Sequence, residues 1–136
     1  MIRFLEGHTL SRAIVVVILG DVAVFLAFVV LGQTEHETFQ GAAFVRTSLP
    51  FAAAWLAISP WLGAYRPATL YKPLATAWRI PLIWLLCGSV ALLVRVLVTD
   101  RPFVLSFAIV ALAVQGVLLL GWRGAFMAVT RRFSRP

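Results

Sequence analysis

Charge is scarce in this sequence. Only 12% of its 136 residues are Asp, Glu, Lys or Arg, about half the share a soluble domain carries. A water-facing surface cannot be assembled from so few charges, which excludes an ordinary soluble domain. Cysteine is nearly absent too. Cys87 is alone, so neither a disulfide nor a C-x-x-C dithiol can form, and it reads as a small apolar filler. There is no H-E-x-x-H, no Gly-rich phosphate loop and no G-x-S-x-G elbow. His8 and His36 fall on opposite sides of the topology derived below and cannot share one metal or haem. No catalytic constellation is visible. The expectation is a non-enzyme without metal, haem or nucleotide, whose only foreseeable small-molecule contacts are lipid or pigment.

What the sequence has instead is apolar length. It is 62% hydrophobic with a mean hydropathy of +0.96. Four stretches approach the ~20 residues that cross a bilayer: 13–32, 47–65, 80–98 and 103–122. The expected fold is all-α, an integral-membrane bundle of four transmembrane helices forming a single domain over residues 1–136. The first stretch is too long for the apolar part of a signal peptide, and "VVLGQ" is a poor cleavage site. It is expected to be retained. Residues 1–12 mix apolar and charged side chains and suit a segment lying at the interface.

If the spans alternate, Arg3, Arg12, Arg66, Lys72, Arg79, Arg123, Arg131, Arg132 and Arg135 share one side. Arg46 and Arg101 fall on the other with Glu35, Glu37 and Asp100. Cytoplasmic loops carry the Lys/Arg excess, so both termini are expected in the cytoplasm. The net charge of +7 then faces anionic lipid headgroups rather than nucleic acid. Trp61, Tyr65, Tyr71, Trp78 and Trp122 would form an aromatic belt at that interface.

Pro60, in the second stretch, removes a backbone donor, and a kink is expected there. The tail 123–136 reads as an amphipathic continuation of the last span. Phe126, Val129 and Phe133 lie on one side, with Arg131, Arg132 and Arg135 on the other, as on a helix lying on an anionic surface. A frayed tail serving only as a topogenic charge is the alternative.

Inside the spans, polar residues are few. At a rise of about 1.5 Å per residue from the cytoplasmic ends, Asp21 lies about 12 Å deep, Gln115 about 10 Å, Ser89 about 13 Å and Ser59 about 9 Å. They would meet in one layer, with Asp21 held as a neutral acid against Gln115 or Ser89. Arg95, about 22 Å in and level with Ser106 at about 24 Å, is within snorkelling reach of the outer interface, where Asp100, Glu35 or Glu37 would partner it. Intramembrane ionisable groups cost roughly 2.5–3.5 kcal/mol at a helix centre. Asp21 and Arg95 are therefore functional candidates, against a registering role for the first and simple snorkelling for the second.

The stretches "LGDVAVFLAF", "LPFAAAWLAISPWLGAYRP", "LLVRVLV" and "SFAIVALAVQGVLLLGWR" together resemble the small prokaryotic membrane proteins catalogued as domain of unknown function 3054. The resemblance spans roughly residues 12–125 and includes Asp21, Arg95 and Gly121–Arg123. It implies a prokaryotic inner-membrane protein and no defined substrate. Two functions stay open. One is an accessory or assembly subunit of a larger membrane complex, with electron-transfer and photosynthetic complexes as the classes considered and other membrane subunits as partners. It draws on the small-residue pairs Ala23/Ala27 and Ala53/Ala57. The other is a small proton or solute transporter or channel working as a homo-oligomer, drawing on the polar layer and the kinked second span. The topology is checked with single cysteines at Glu37 and Ser134 in a Cys87→Ala background. They should label from opposite sides of the membrane, and labelling of both from one side would overturn the topology.

Overall fold

In the computed structural model, which describes residues 2–34, 41–99 and 102–133, every regular element is helical. The elements are α1 (Ile2–Thr34), α2 (Gly41–Ile58), α3 (Pro67–Tyr71), α4 (Pro73–Thr99) and α5 (Leu105–Phe133). Three of them contain stretches long and apolar enough to cross a membrane: Thr9–Gly32, Pro73–Val98 and Leu105–Phe133. These suggest a multi-pass membrane protein. The corresponding apolar part of α2, Ser48–Ile58, is shorter, roughly 16 Å at helical rise.

Several boundaries differ from those read off hydropathy. Residues 2–12 are not a separate segment but the first turns of α1. The second apolar stretch is not one kinked helix to residue 65. Helix α2 ends at Ile58, because Pro60 cannot donate and its ring pushes Ser59 away from helical backbone. A run of turns follows, in which Gly63 N–H donates to the Pro60 carbonyl and Ala64 N–H to the Ser59 carbonyl. Gly63 sits at φ +86°, a left-handed conformation that residues with a Cβ rarely adopt. Residues 66–79 are not a loop. Lys72 is extended ahead of Pro73 and separates α3 from α4, so Pro73 opens the long helix at its first position. The tail to Phe133 continues α5 without a break.

The helices pack as a ring in the order α1, α2, α4, α5, and α3 lies against α4 and α5. Each long helix presents a stripe inward. On α1 the stripe is Val17, Asp21, Phe25 and Val29, all buried at intervals of four. On α5 it is Ala108, Ala111, Gln115, Leu119, Arg123 and Met127. Two tryptophans and two phenylalanines fill the centre. Trp84 lies 5.6 Å from Phe25, 6.0 Å from Phe51 and 6.2 Å from Trp55, centroid to centroid. Its indole N–H donates to the Leu112 carbonyl at 2.9 Å. Among lipid tails the hydrophobic effect does not favour such a core over dispersal, so shape complementarity and hydrogen bonds must hold it.

Around this core the outward faces are apolar, with Leu19, Leu82, Leu97, Ile109 and Val117 all exposed. Trp61, Tyr71 and Trp78 are exposed as the belt reading requires, whereas Tyr65 is buried. The tail is divided. Phe126 and Met127 are buried, Phe126 stacking between Tyr71 and Trp122, while Val129, Arg131, Arg132 and Phe133 are exposed. Arg123, Phe126 and Met127 therefore belong to the packed interior, while Gly124 and Ala125 between them are exposed. Arg135 lies outside the described residues.

The Trp122 indole of α5 packs directly over Gly20 of α1. A Cβ there would stand 1.9 Å from Cζ2 of the Trp122 indole. Gly20→Ala should accordingly lower stability by about 1–3 kcal/mol, the usual cost of overpacking. Thermal unfolding in detergent measures this. In a Trp122→Leu background the same substitution should cost much less, and equal costs in both backgrounds would show that the two residues are not coupled.

Candidate functional site

The polar centre of the protein is built on Asp21. The interval-of-four stripe of α1 carries it into the interior, where its side chain is fully buried. Its partners are neither Gln115 nor Ser89. The guanidinium of Arg123, 102 residues along the chain, donates from Nη2 to Asp21 Oδ2 at 2.6 Å and from Nε to Oδ1 at 3.1 Å. This is a two-pronged ion pair, the arrangement in which Arg and carboxylate match best. Trp55 Nε1 donates to Oδ2 at 2.9 Å and the Tyr65 hydroxyl to the same oxygen at 2.7 Å. The indole N–H is shared, since the Tyr65 oxygen also lies 3.0 Å from it.

The cation is held as firmly as the anion. Arg123 Nη1 donates to the Ala64 carbonyl at 2.9 Å, and its guanidinium carbon sits 4.9 Å from the centre of the Tyr65 ring. Charge, hydrogen bonds and an aromatic face thus surround a side chain that is 1% exposed. Arg123 was expected at the membrane surface. It is instead the counter-ion of the interior, because α5 continues ten residues beyond it and carries it on the buried stripe. Arg131 and Arg132 are the exposed basic residues of that helix.

The turn at Pro60 and Gly63 explains Tyr65. Had α2 continued, Tyr65 would stand about 15 Å beyond Trp55 along the axis. The turn returns it to the level of Trp55, where both reach one carboxylate oxygen. Neighbouring backbone is tied down as well. Thr69 Oγ1 donates to the Gly63 carbonyl at 2.9 Å, and Thr76 Oγ1 to the Thr69 carbonyl at 2.5 Å. This chain of bonds links α4, α3 and the turn beneath Arg123.

Every contact made by the Asp21 carboxylate comes from a donor. These donors, and not Gln115 or Ser89, are the partners of the Asp21 side chain. The expected single polar layer is not formed either. Gln115 lies two helical turns from Arg123, about 12 Å along α5, and is 1% exposed, with neither amide atom hydrogen-bonded among the described residues. Ser59 is buried and its hydroxyl has no hydrogen-bond partner among the described residues. Ser89 is exposed and donates back to the Leu85 carbonyl of its own helix at 2.6 Å. Ser106 is exposed. Arg95 stacks on Phe107 at 4.3 Å, and its expected partners Asp100, Glu35 and Glu37 lie outside the described residues. Among the described residues no group of three His, Cys, Asp or Glu could hold a metal ion.

The family described as "Protein of unknown function (DUF3054)" matches residues 18–126. That interval contains all four members of the Asp21–Trp55–Tyr65–Arg123 cluster. No curated protein and no solved structure matches the chain.

Removing one partner of a buried ion pair strands the other, at about 3–5 kcal/mol. Asp21→Asn and Arg123→Gln should each destabilise by that order, measured by thermal or detergent-induced unfolding. The double variant Asp21→Leu/Arg123→Met should recover most of the loss. Tyr65→Phe should cost less, about 1.5–3 kcal/mol for one hydrogen bond to a charged group. Single variants as stable as the parent would show that the pair does not hold the ring together.

Proposed function

The chain belongs to that family of unknown function, matched over residues 18–126, and from its geometry we propose that it is a non-catalytic accessory or assembly subunit of a larger membrane complex. The reading includes a bundle of four membrane-crossing helices, both termini in the cytoplasm, and the prokaryotic inner membrane as location. The observation that carries it is the placement of the small residues. Ala23 and Ala27 on α1, and Ala53 and Ala57 on α2, are exposed rather than packed within the chain. Small residues four apart let a second helix approach closely and are favoured at helix interfaces in lipid. On two adjacent helices, they offer a broad outer face to a partner helix.

The interior supports the same reading. Asp21, the ionisable group best placed for proton transfer, is engaged by four donors from three residues. A carboxylate so occupied suits a fixed architectural role better than a cycle of protonation. Electron-transfer and photosynthetic complexes remain the classes considered, with pigment or lipid as contacts along the aromatic faces. The second reading, a small transporter or channel acting as a homo-oligomer, draws on Gln115, whose buried amide has no partner among the described residues and could meet water or solute.

Purification of the tagged chain in mild detergent separates the two. A stoichiometric assembly containing other membrane subunits is expected, and Ala23→Leu/Ala53→Leu should release it while the isolated chain unfolds as before. A homo-oligomer alone, unaffected by those substitutions, would overturn the subunit reading in favour of transport.

A further inference from the structure

One groove on the outside of the ring combines two arginines, neither in a recorded ion pair among the described residues, with an apolar channel. It lies between the turn after α2 and the first half of α4, with a volume of about 390 Å³. Arg66 and Arg79 line it, together with Trp78. From there Leu82, Ile83 and Leu86 continue along α4 at intervals of three and four, and Leu62 forms the opposite wall. Leu82 and Leu86 are exposed, so the apolar part is open to whatever surrounds the helices.

We propose that this groove binds one anionic phospholipid, its phosphodiester between Arg66 and Arg79 and the start of one acyl chain along Leu82 and Leu86. Charge complementarity identifies the occupant. The ion pair recorded among the described residues is that of Asp21 with Arg123, which leaves the two groove arginines available to an external anion. Two guanidinium groups present planar donor forks that match phosphate oxygens. Their positions are partly fixed in advance. The Arg66 stem lies against Gly63, where an added Cβ would stand 3.0 Å from Arg66 Cδ. The Arg79 guanidinium lies 5.1 Å from the centre of the Trp78 ring. Trp78 itself has the amphipathic character that places indoles at headgroup level. A free phosphate would satisfy the arginines but leave the leucine channel bare, and a zwitterionic lipid would bring an ammonium toward the two cations. Basic pockets between membrane-spanning helices bind acidic headgroups. The inference needs the chain to lie in a bilayer and is independent of the accessory-subunit reading.

Native mass spectrometry of the full chain in detergent, titrated with phosphatidylglycerol or phosphatidylcholine, tests it. One phosphatidylglycerol should be retained in preference to phosphatidylcholine. Each of Arg66→Gln and Arg79→Gln should weaken its retention about fivefold, and the pair about thirtyfold. Arg131→Gln/Arg132→Gln, which removes equal charge outside the groove, should change it less than about threefold, and inorganic phosphate should not displace the lipid. The single substitutions keep the test readable should the double variant fold poorly, and circular dichroism checks helicity. Equal retention of the two lipids, an equal loss in the Arg131/Arg132 control, or displacement by inorganic phosphate would each overturn the proposal.

Discussion

One buried ion pair sets the arrangement of the helices. Asp21 and Arg123 sit on the first and last helices, and each is enclosed in surroundings where an unpaired charge costs several kcal/mol. The carboxylate oxygens and the guanidinium fork leave little angular freedom, so pairing fixes the rotation of α1 and α5 about their axes. Their neighbours in sequence fix the same interface a second time, since Gly20 receives the Trp122 indole beside the pair. Trp55 and Tyr65 extend the constraint to α2 and to the turn behind it. The Ala64 carbonyl, held by Arg123 Nη1, brings the turn's backbone into the same set. Three segments, α2, the turn after it and α5, are thereby bound to one carboxylate of α1.

Much of this was legible from residue order, and what escaped did so for definable reasons. Long apolar runs announce helices, and an acid in the middle of "VILGDVAVFLAFVV" announces an interior position. Arg123 escaped because an arginine at the end of an apolar run ordinarily marks the interface. Its helical phase was the available signal, since it falls on the same stripe as Ala111, Gln115 and Leu119. Counting depth from Arg123 as if it stood at the surface displaced α5 by some two turns, which produced the false layer of Asp21 with Gln115. Tyr65 escaped for another reason. Hydropathy runs straight through Pro60, and no periodicity reports that a turn folds ten residues back onto themselves.

The remaining surface divides by chemistry. The interior consumes the acid available to it, and the exposed helical faces are aliphatic with small alanine clearings on α1 and α2. Arg131 and Arg132 are exposed in the last turn of α5. Gln115 is closed into the core and, like the Ser59 hydroxyl and the Trp122 indole N–H, has no hydrogen-bonding neighbour among the described residues.

The distance in sequence between Asp21 and Arg123 has a consequence for biogenesis. A ribosome adds about 5–20 residues per second, so the 102 residues that separate the pair take about 5–20 s to synthesise. During that interval α1 has left the exit tunnel carrying an acid whose counter-ion does not yet exist. Inserting such a helix alone is opposed by roughly the 2.5–3.5 kcal/mol assigned to a central charge, and the apolar residues on either side must outweigh it. The last helix to emerge supplies the missing cation. Translation order therefore places the pairing of Asp21 with Arg123 after the synthesis of α5, and until then the acid of α1 has no counter-ion on that helix.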